Sequence, residues 1–343
     1  MMIKAILLVA FPLVLIFGID WKTVRTGIFR TDVMRYEDTE NLRGMAALFV
    51  IFAHYTLKIK HMGYSLGICK PFTWLGGMGV CIFFFLSGYG MSCSANKNGM
   101  TLKKLIRRIL TIYLPILAVR AVFMLIEQAA LEKPEGSGIL YFLGLKNGPW
   151  YLNELIIMCV LFFIAYRVGK ENRGIWLGAL TGGLIIMSIC FEVLGFPARW
   201  YDSNIMFALG TAVALYKKEI LEFLEKHYYG KMIFVAVCFL LSTVVYTTVK
   251  GEWIAVVLKI ISGTALNMLA LMVIMRVPLR SKILQYCGKR SLYLYLTHIS
   301  LWVICVEHMK NIQAVFAVSL VLTFILSELF YIAAVSYTHL TLP

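Results

Sequence analysis

Apolar stretches long enough to approach or cross a bilayer recur along the whole chain, at 3–19, 42–57, 74–93, 109–130, 150–168, 174–194, 204–216, 231–249, 253–275, 291–306 and 312–334. A hydrocarbon core of about 30 Å takes roughly 20 helical residues. Lipid offers backbone N–H and C=O groups no partner, so such stretches satisfy themselves as helices. The sequence therefore predicts an all-α, polytopic transmembrane helical bundle. Composition agrees: 60% of the 343 residues are hydrophobic and only 15% are charged, where soluble domains carry about a quarter.

The charges between the apolar stretches orient them. The chain is strongly basic, with 33 Lys+Arg against 18 Asp+Glu and a net charge of +15. Alternate connections hold 21 and 8 of the basic residues. The rich set begins with Lys22, Arg25, Arg30 and Arg35 and continues with Lys97, Lys103, Lys104, Arg107 and Arg108. Cytoplasmic loops carry such an excess, so 20–41 is expected inside and the helix 42–57 runs outward. The basic residues thus read as topology signals, and no polar region interleaves them with aromatics, so no nucleic-acid partner is expected. The partner that composition implies is the lipid bilayer.

Both ends carry expectations. The first stretch, "MMIKAILLVAFPLVLIFGID", lacks a small-x-small cleavage site, and removing it would leave the basic segment 20–41 outside. It is expected to be a retained helix, which with its cytoplasmic linker makes residues 1–40 one region and 41–334 the membrane domain. "VSYTHLTLP", 335–343, breaks the apolar pattern and resembles the translation of a transposase adapter used in sequencing libraries. These nine residues are expected to be a non-native tail, and His339 is assigned no role. The eight cysteines include no CxxC pair and mostly lie in apolar runs, so they read as small buried hydrophobes. No metal motif occurs, and no metal site is expected.

Against this apolar background a few polar residues stand out. Eleven residues separate Arg43 from His54, three helical turns plus about 20°, so the two share one face about 16 Å apart. They cannot touch, but they can engage two parts of one elongated ligand. Ionisable groups inside a membrane are costly and face protein or a wet cavity. His298, in "CGKRSLYLYLTHISLW", enters from the cytoplasmic side to a depth comparable with His54, so the two can line one cavity or serve as independent hydrogen-bonders. Glycines 76, 77, 79, 88 and 90 permit close helix approach, and Ser87 offers a hydroxyl without the spacing of a nucleophile elbow. Lys104 and Arg107, one turn apart at a cytoplasmic helix entrance, present donors for a phosphate-bearing ligand. Trp150 sits at the outer interface with Glu154 one turn inside. Arg120 and Glu127 share a face and can neutralise each other.

Five of these segments resemble the membrane acyltransferase-3 family. "LRGMAALFVIFAHY" is similar to its Arg-x10-His signature on the first conserved helix, and "GVCIFFFLSGYG" to its "GVdlFFfLSGf" segment. "KKLIRRILTIYLP" resembles its basic-x-x-Arg entrance, while "WYLNEL" and "SLYLYLTH" resemble its fourth and ninth helices. The segments occur in family order across 41–300. The resemblance implies ten helices, with 3–19 as an additional one, and an enzyme that needs no cofactor. It implies acyl-CoA as cytoplasmic co-substrate and donor, an acyl (chiefly acetyl) group, and a hydroxyl of a cell-envelope or exported glycan as acceptor, at the plasma membrane. His54 would be catalytic with Arg43 beside the donor, and Lys104 and Arg107 would stand for the family's Arg-x-x-Arg. Ser87, Trp150, Glu154 and His298 are expected at the substrate site. Two positions depart from the pattern: Cys81 stands where an acidic residue is frequent, and Lys104 replaces an arginine and so loses its bidentate geometry.

Two other classes fit the bare hydropathy. A multi-pass transporter of a sugar-like or anionic solute would share the helices and intramembrane charges, but no inverted repeat of hydropathy is visible. A membrane scaffold would tolerate joint loss of Arg43 and His54.

Overall fold

In the computed structural model, which describes residues 2–21, 27–132, 139–144, 148–249 and 251–341, helix dominates and no strand forms among the described residues. Lys22, Arg25, Lys133, Lys146 and Lys250 of the charge count lie outside them, as do residues 342–343 and the side chains of 337–341 in the tail. In chain order the helices are α1 (Met2–Ala5), a π-helical turn (Ile6–Ala10), α2 (Phe11–Phe17), α3 (Tyr36–His61), α4 (Phe72–Asn98), α5 (Leu102–Ala130) and α6 (Ile139–Phe142). There follow α7 (Trp150–Gly169), α8 (Arg173–Val193), α9 (Ile205–Leu215), α10 (Lys217–Glu225), α11 (Tyr228–Thr248) and α12 (Glu252–Arg276). The chain closes with α13 (Lys282–Lys289), α14 (Ser291–His308) and α15 (Ile312–Thr341).

Among the described residues eight helices are long and apolar enough to cross a membrane. Every apolar stretch read from the sequence becomes helical, but three do so differently. The N-terminal stretch is interrupted by its π turn and packs Phe11 edge-on against Phe49 and Phe52 of α3. Helix α9 has 11 residues, about 16 Å of rise, so it reaches only part of the way across. Helix α14 carries His298, Glu307 and His308 on 18 residues, which dilutes its apolar character.

Because α9 is short, the segment before it lies inside the protein. Tyr201, Asp202, Ser203 and Asn204 are all buried. Non-helical backbone is tolerated there because protein groups satisfy it. Ser203 donates to Asp202 at 2.5 Å, Asn204 donates to Ser188 Oγ at 2.7 Å, and Lys259 of α12 pairs with Asp202 at 3.2 Å. A Cβ on Gly77 would stand 2.4 Å from the Lys259 ammonium, so the glycine leaves the space that this ion pair occupies.

Two crossings set the register of the bundle. Helices α4 and α9 meet backbone to backbone, since a Cβ on Gly88 would lie 2.0 Å from the Phe207 carbonyl and one on Gly210 would lie 1.9 Å from that of Phe85. Helices α3 and α13 meet the same way, through Gly44 against the Leu284 carbonyl and Gly288 against that of Glu40. No other side chain fits either crossing. The second contact seats α13 against the first turns of α3, and α14 follows directly from it, with His298 seven residues in and beside His54.

The linker before α3 is held by Arg30. Its guanidinium donates to both Asp38 oxygens at 2.9 and 3.1 Å, to Asp32 at 3.0 Å and to the Ile274 carbonyl at 3.2 Å. Burial raises the Asp32 carboxyl, but the hydrogen bond and charge of Arg30, with the charge of Arg35, outweigh it and hold Asp32 below its ordinary value. At the far end of the chain Arg290 clamps Glu328 of α15 with two hydrogen bonds.

Candidate functional site

A cavity of about 540 Å³ has both His54 and His298 in its wall, a size suited to one sugar-like ligand among the roughly 300–1,000 Å³ usual for small-molecule sites. Helix α3 contributes His54 and, one turn further out, Lys58; α5 contributes Arg120, Phe123 and Glu127; α14 contributes Tyr295, His298 and Ser300. The rim comes from Gly148, Pro149 and Trp150 at the start of α7 and from Arg199 in the 3-10 turn Ala198–Trp200. These elements gather at the side that the charge count assigns to the exterior.

The two imidazoles form a directed chain. His54 Nδ1 lies 2.7 Å from His298 Nε2, and His298 Nδ1 lies 3.0 Å from the Leu294 carbonyl. A carbonyl can only accept, so His298 Nδ1 carries the hydrogen. In the neutral ring Nε2 is then a lone pair, and it accepts from His54 Nδ1–H. The remaining nitrogen, His54 Nε2, is left as an unprotonated base. The planes of the two rings lie within 5° of parallel, with centroids 5.0 Å apart. Tyr55 and Tyr295 flank His298 at 6.2 and 6.0 Å between centroids, and Tyr55 is itself fixed through its hydroxyl to Thr323 at 3.1 Å. The base is thereby aimed by a second ring, and that ring by backbone and aromatics.

Around the histidines the wall is aromatic and charged. Tyr141 joins Arg120 to Glu127: its hydroxyl donates to Glu127 at 3.0 Å, its carbonyl accepts from Arg120 at 2.5 Å, and the Arg120 guanidinium lies 4.2 Å from its ring centre. The neutralisation expected from spacing thus runs through a tyrosine that the spacing did not reveal. Tyr151, edge-on to Tyr295 at 5.2 Å, backs the cavity wall behind Trp150.

The residues singled out by sequence are distributed unevenly. His54, His298 and Trp150 line the cavity. Arg43 is not in its wall; it donates to Glu40 at 2.5 Å in the early turns of α3 and is about one-third exposed. Lys104 donates to the Asn98 and Gly99 carbonyls at 2.6 and 2.9 Å, capping the end of α4. Arg107 is exposed, while its neighbour Arg108 turns partly inward with a buried Nε that has no hydrogen-bonding partner. Ser87 is half-buried on α4, away from the cavity. Glu154 is fully buried, and neither carboxyl oxygen has a hydrogen-bonding partner. Lys58, Arg199, Tyr141 and Tyr295 are cavity residues that sequence reasoning passed over. One signal was available: Lys58 lies four residues from His54 and so on its face. Among the described residues no group of His, Cys, Asp and Glu is arranged to hold a metal ion.

No curated protein and no solved structure matches the chain. A family model does, that of the acyltransferase domain, over residues 37–332. It spans every element that builds the cavity, so this multi-pass membrane protein is an acyltransferase and belongs to the membrane acyltransferase-3 family.

Proposed function

We propose that the protein moves an acyl group, acetyl in the simplest case, from cytoplasmic acyl-CoA to a hydroxyl of a cell-envelope or exported saccharide, at the plasma membrane. The observation that carries this reading is the free Nε2 of His54, aimed by His298 at the base of a cavity of about 540 Å³. Trp150, Tyr141 and Tyr295 give that cavity the flat apolar faces that suit the C–H surface of a sugar ring.

In the reaction the acceptor hydroxyl oxygen attacks the thioester carbonyl carbon while His54 Nε2 takes the hydroxyl proton. The C–O bond forms, the C–S bond breaks and the sulfur leaves with the electron pair of that bond. The proton then passes from Nε2 to the departing thiolate, so free CoA-SH and an ester are released. His298 does not meet the reacting atoms. It is a positioning residue that fixes the His54 tautomer and shares the charge of the transient imidazolium through the 2.7 Å contact. On the cytoplasmic side the exposed Arg107 remains for the donor's phosphates, while Arg43 is engaged by Glu40 and Lys104 as a cap.

The test is release of CoA from acetyl-CoA by purified protein in nanodiscs, with mass spectrometry of envelope saccharides from cells with and without the gene. Saccharide-dependent CoA release and a lost acetyl increment are expected. Solute movement across reconstituted vesicles with no thioester cleavage would overturn the reading in favour of transport.

A further inference from the structure

Among the described residues three cations reach the cavity wall, and of these Arg120 is balanced there. Arg120 is tied to Tyr141 and shares that tyrosine with Glu127, the one acidic residue among the described residues lining the cavity. The Lys58 and Arg199 side chains line the same cavity and make no hydrogen bond or ion pair with another described residue. Lys58 is half-buried one turn outward of His54. Arg199 stands at the exposed rim, on a turn fixed by Trp200, whose ring lies 6.3 Å from that of Trp150.

Topology does not explain the pair. Outer connections hold only 8 of the 29 basic residues between stretches, and Arg199 is the sole one in its connection. Cations on that side run against the rule that orients the rest of the chain. Nor does the donor explain them, because its phosphates belong at the opposite face. Two unpaired cations at the mouth of a concave, partly apolar site focus a positive potential into it. A neutral sugar would gain nothing from that field.

We propose that the acceptor is an anionic saccharide, with a carboxylate or phosphate held by Lys58 and Arg199 while a neighbouring hydroxyl faces His54. This rests on the acyl-transfer reading and adds the acceptor's charge to it. The anion binds at the rim, the sugar ring lies against the aromatic wall, and the hydroxyl reaches the base one helical turn below Lys58.

The experiment measures equilibrium binding to protein in phosphatidylcholine nanodiscs, apart from any turnover. The probes are a glucuronic-acid disaccharide, its uncharged methyl ester and a glycerol-phosphate glucoside. At low salt at least one anion is expected to bind ten or more times tighter than the ester, and the better of the two names the source of the charge. The preference should shrink as salt rises. The double variant Lys58→Gln/Arg199→Gln should bind acid and ester alike, with its ester binding showing that it is folded, and Arg199→Glu alone should place the acid below the ester. Binding of neither anion more tightly than the ester by the native protein, a preference that survives in the double variant, or no binding of any probe would each overturn the inference. CoA release separates this from the parent reading: a preference without CoA release sinks transfer alone, and release that is equal with acid and ester sinks the anion alone.

Discussion

The two ends of helix α3 use charge in opposite ways. At the Tyr36 end cations are committed to the fold: Arg30 holds Asp38 and Asp32, Arg43 holds Glu40, and nearby Lys104 caps α4. At the His61 end the Lys58 and Arg199 side chains face a cavity with no partner among the described residues, beside a histidine whose outer nitrogen is bare. The same residue types therefore do structural work at one end and stand ready for a ligand at the other. Charge count alone does not separate these cases. The local partner does.

The sharpest way to break this contrast is to remove the base. His54→Ala should lower saccharide-dependent CoA release by about a thousandfold, within the 10²–10⁴ range of general-base loss, with unchanged abundance in the membrane. A rate within tenfold of the native one would show that the free nitrogen is not the base. At the committed end the largest effect should be on stability. Arg30→Ala leaves the Asp38 carboxylate buried and unpaired, which should cost about 3–5 kcal/mol and show as early thermal unfolding in detergent. An unaltered melting profile would mean that the linker is not stapled as described.

The helical plan was legible because hydropathy and basic connections are local properties of the chain. The pairing of Arg43 with Glu40, three residues away, is a local feature that the reading of Arg43 as a donor contact passed over. What was hidden is non-local. Glu40, Gly44, Leu284 and Gly288 meet across about 240 residues of chain, and that contact, with Tyr55 packed against Trp302, holds His298 level with His54. Likewise Arg199 reaches the cavity because α9 is too short to span and draws the segment before it inward. Hydropathy marked 204–216 as one more crossing and could not show that its helix has only 11 residues and is preceded by buried non-helical chain at 201–204.

His298 sharpens the comparison within the site itself. If it only fills space, His298→Phe should be tolerated and His298→Asn harmful. If it aims the base, both should lower kcat about 10–100-fold, the scale of a small misplacement of a catalytic group, with little change in KM for either substrate. His298→Gln, which keeps an acceptor near the Nε2 position, should recover part of the loss. Phenylalanine at native speed would reduce the 2.7 Å contact to packing.

The smallest effect concerns Lys104, where the contrast is most easily mistaken. The resemblance implies a donor-binding role, yet the ammonium already donates to two carbonyls at the end of α4, a place where a cation also meets the negative end of the helix dipole. Lys104→Met should therefore cost about 1 kcal/mol of stability and raise KM for acyl-CoA less than threefold, whereas Arg107→Met, with its exposed guanidinium, should raise KM more than it alters the melting temperature. A tenfold rise in KM for Lys104→Met at unchanged stability would mean that the lysine leaves its carbonyls to bind the donor. The cytoplasmic end would then use its charges as the outer end does.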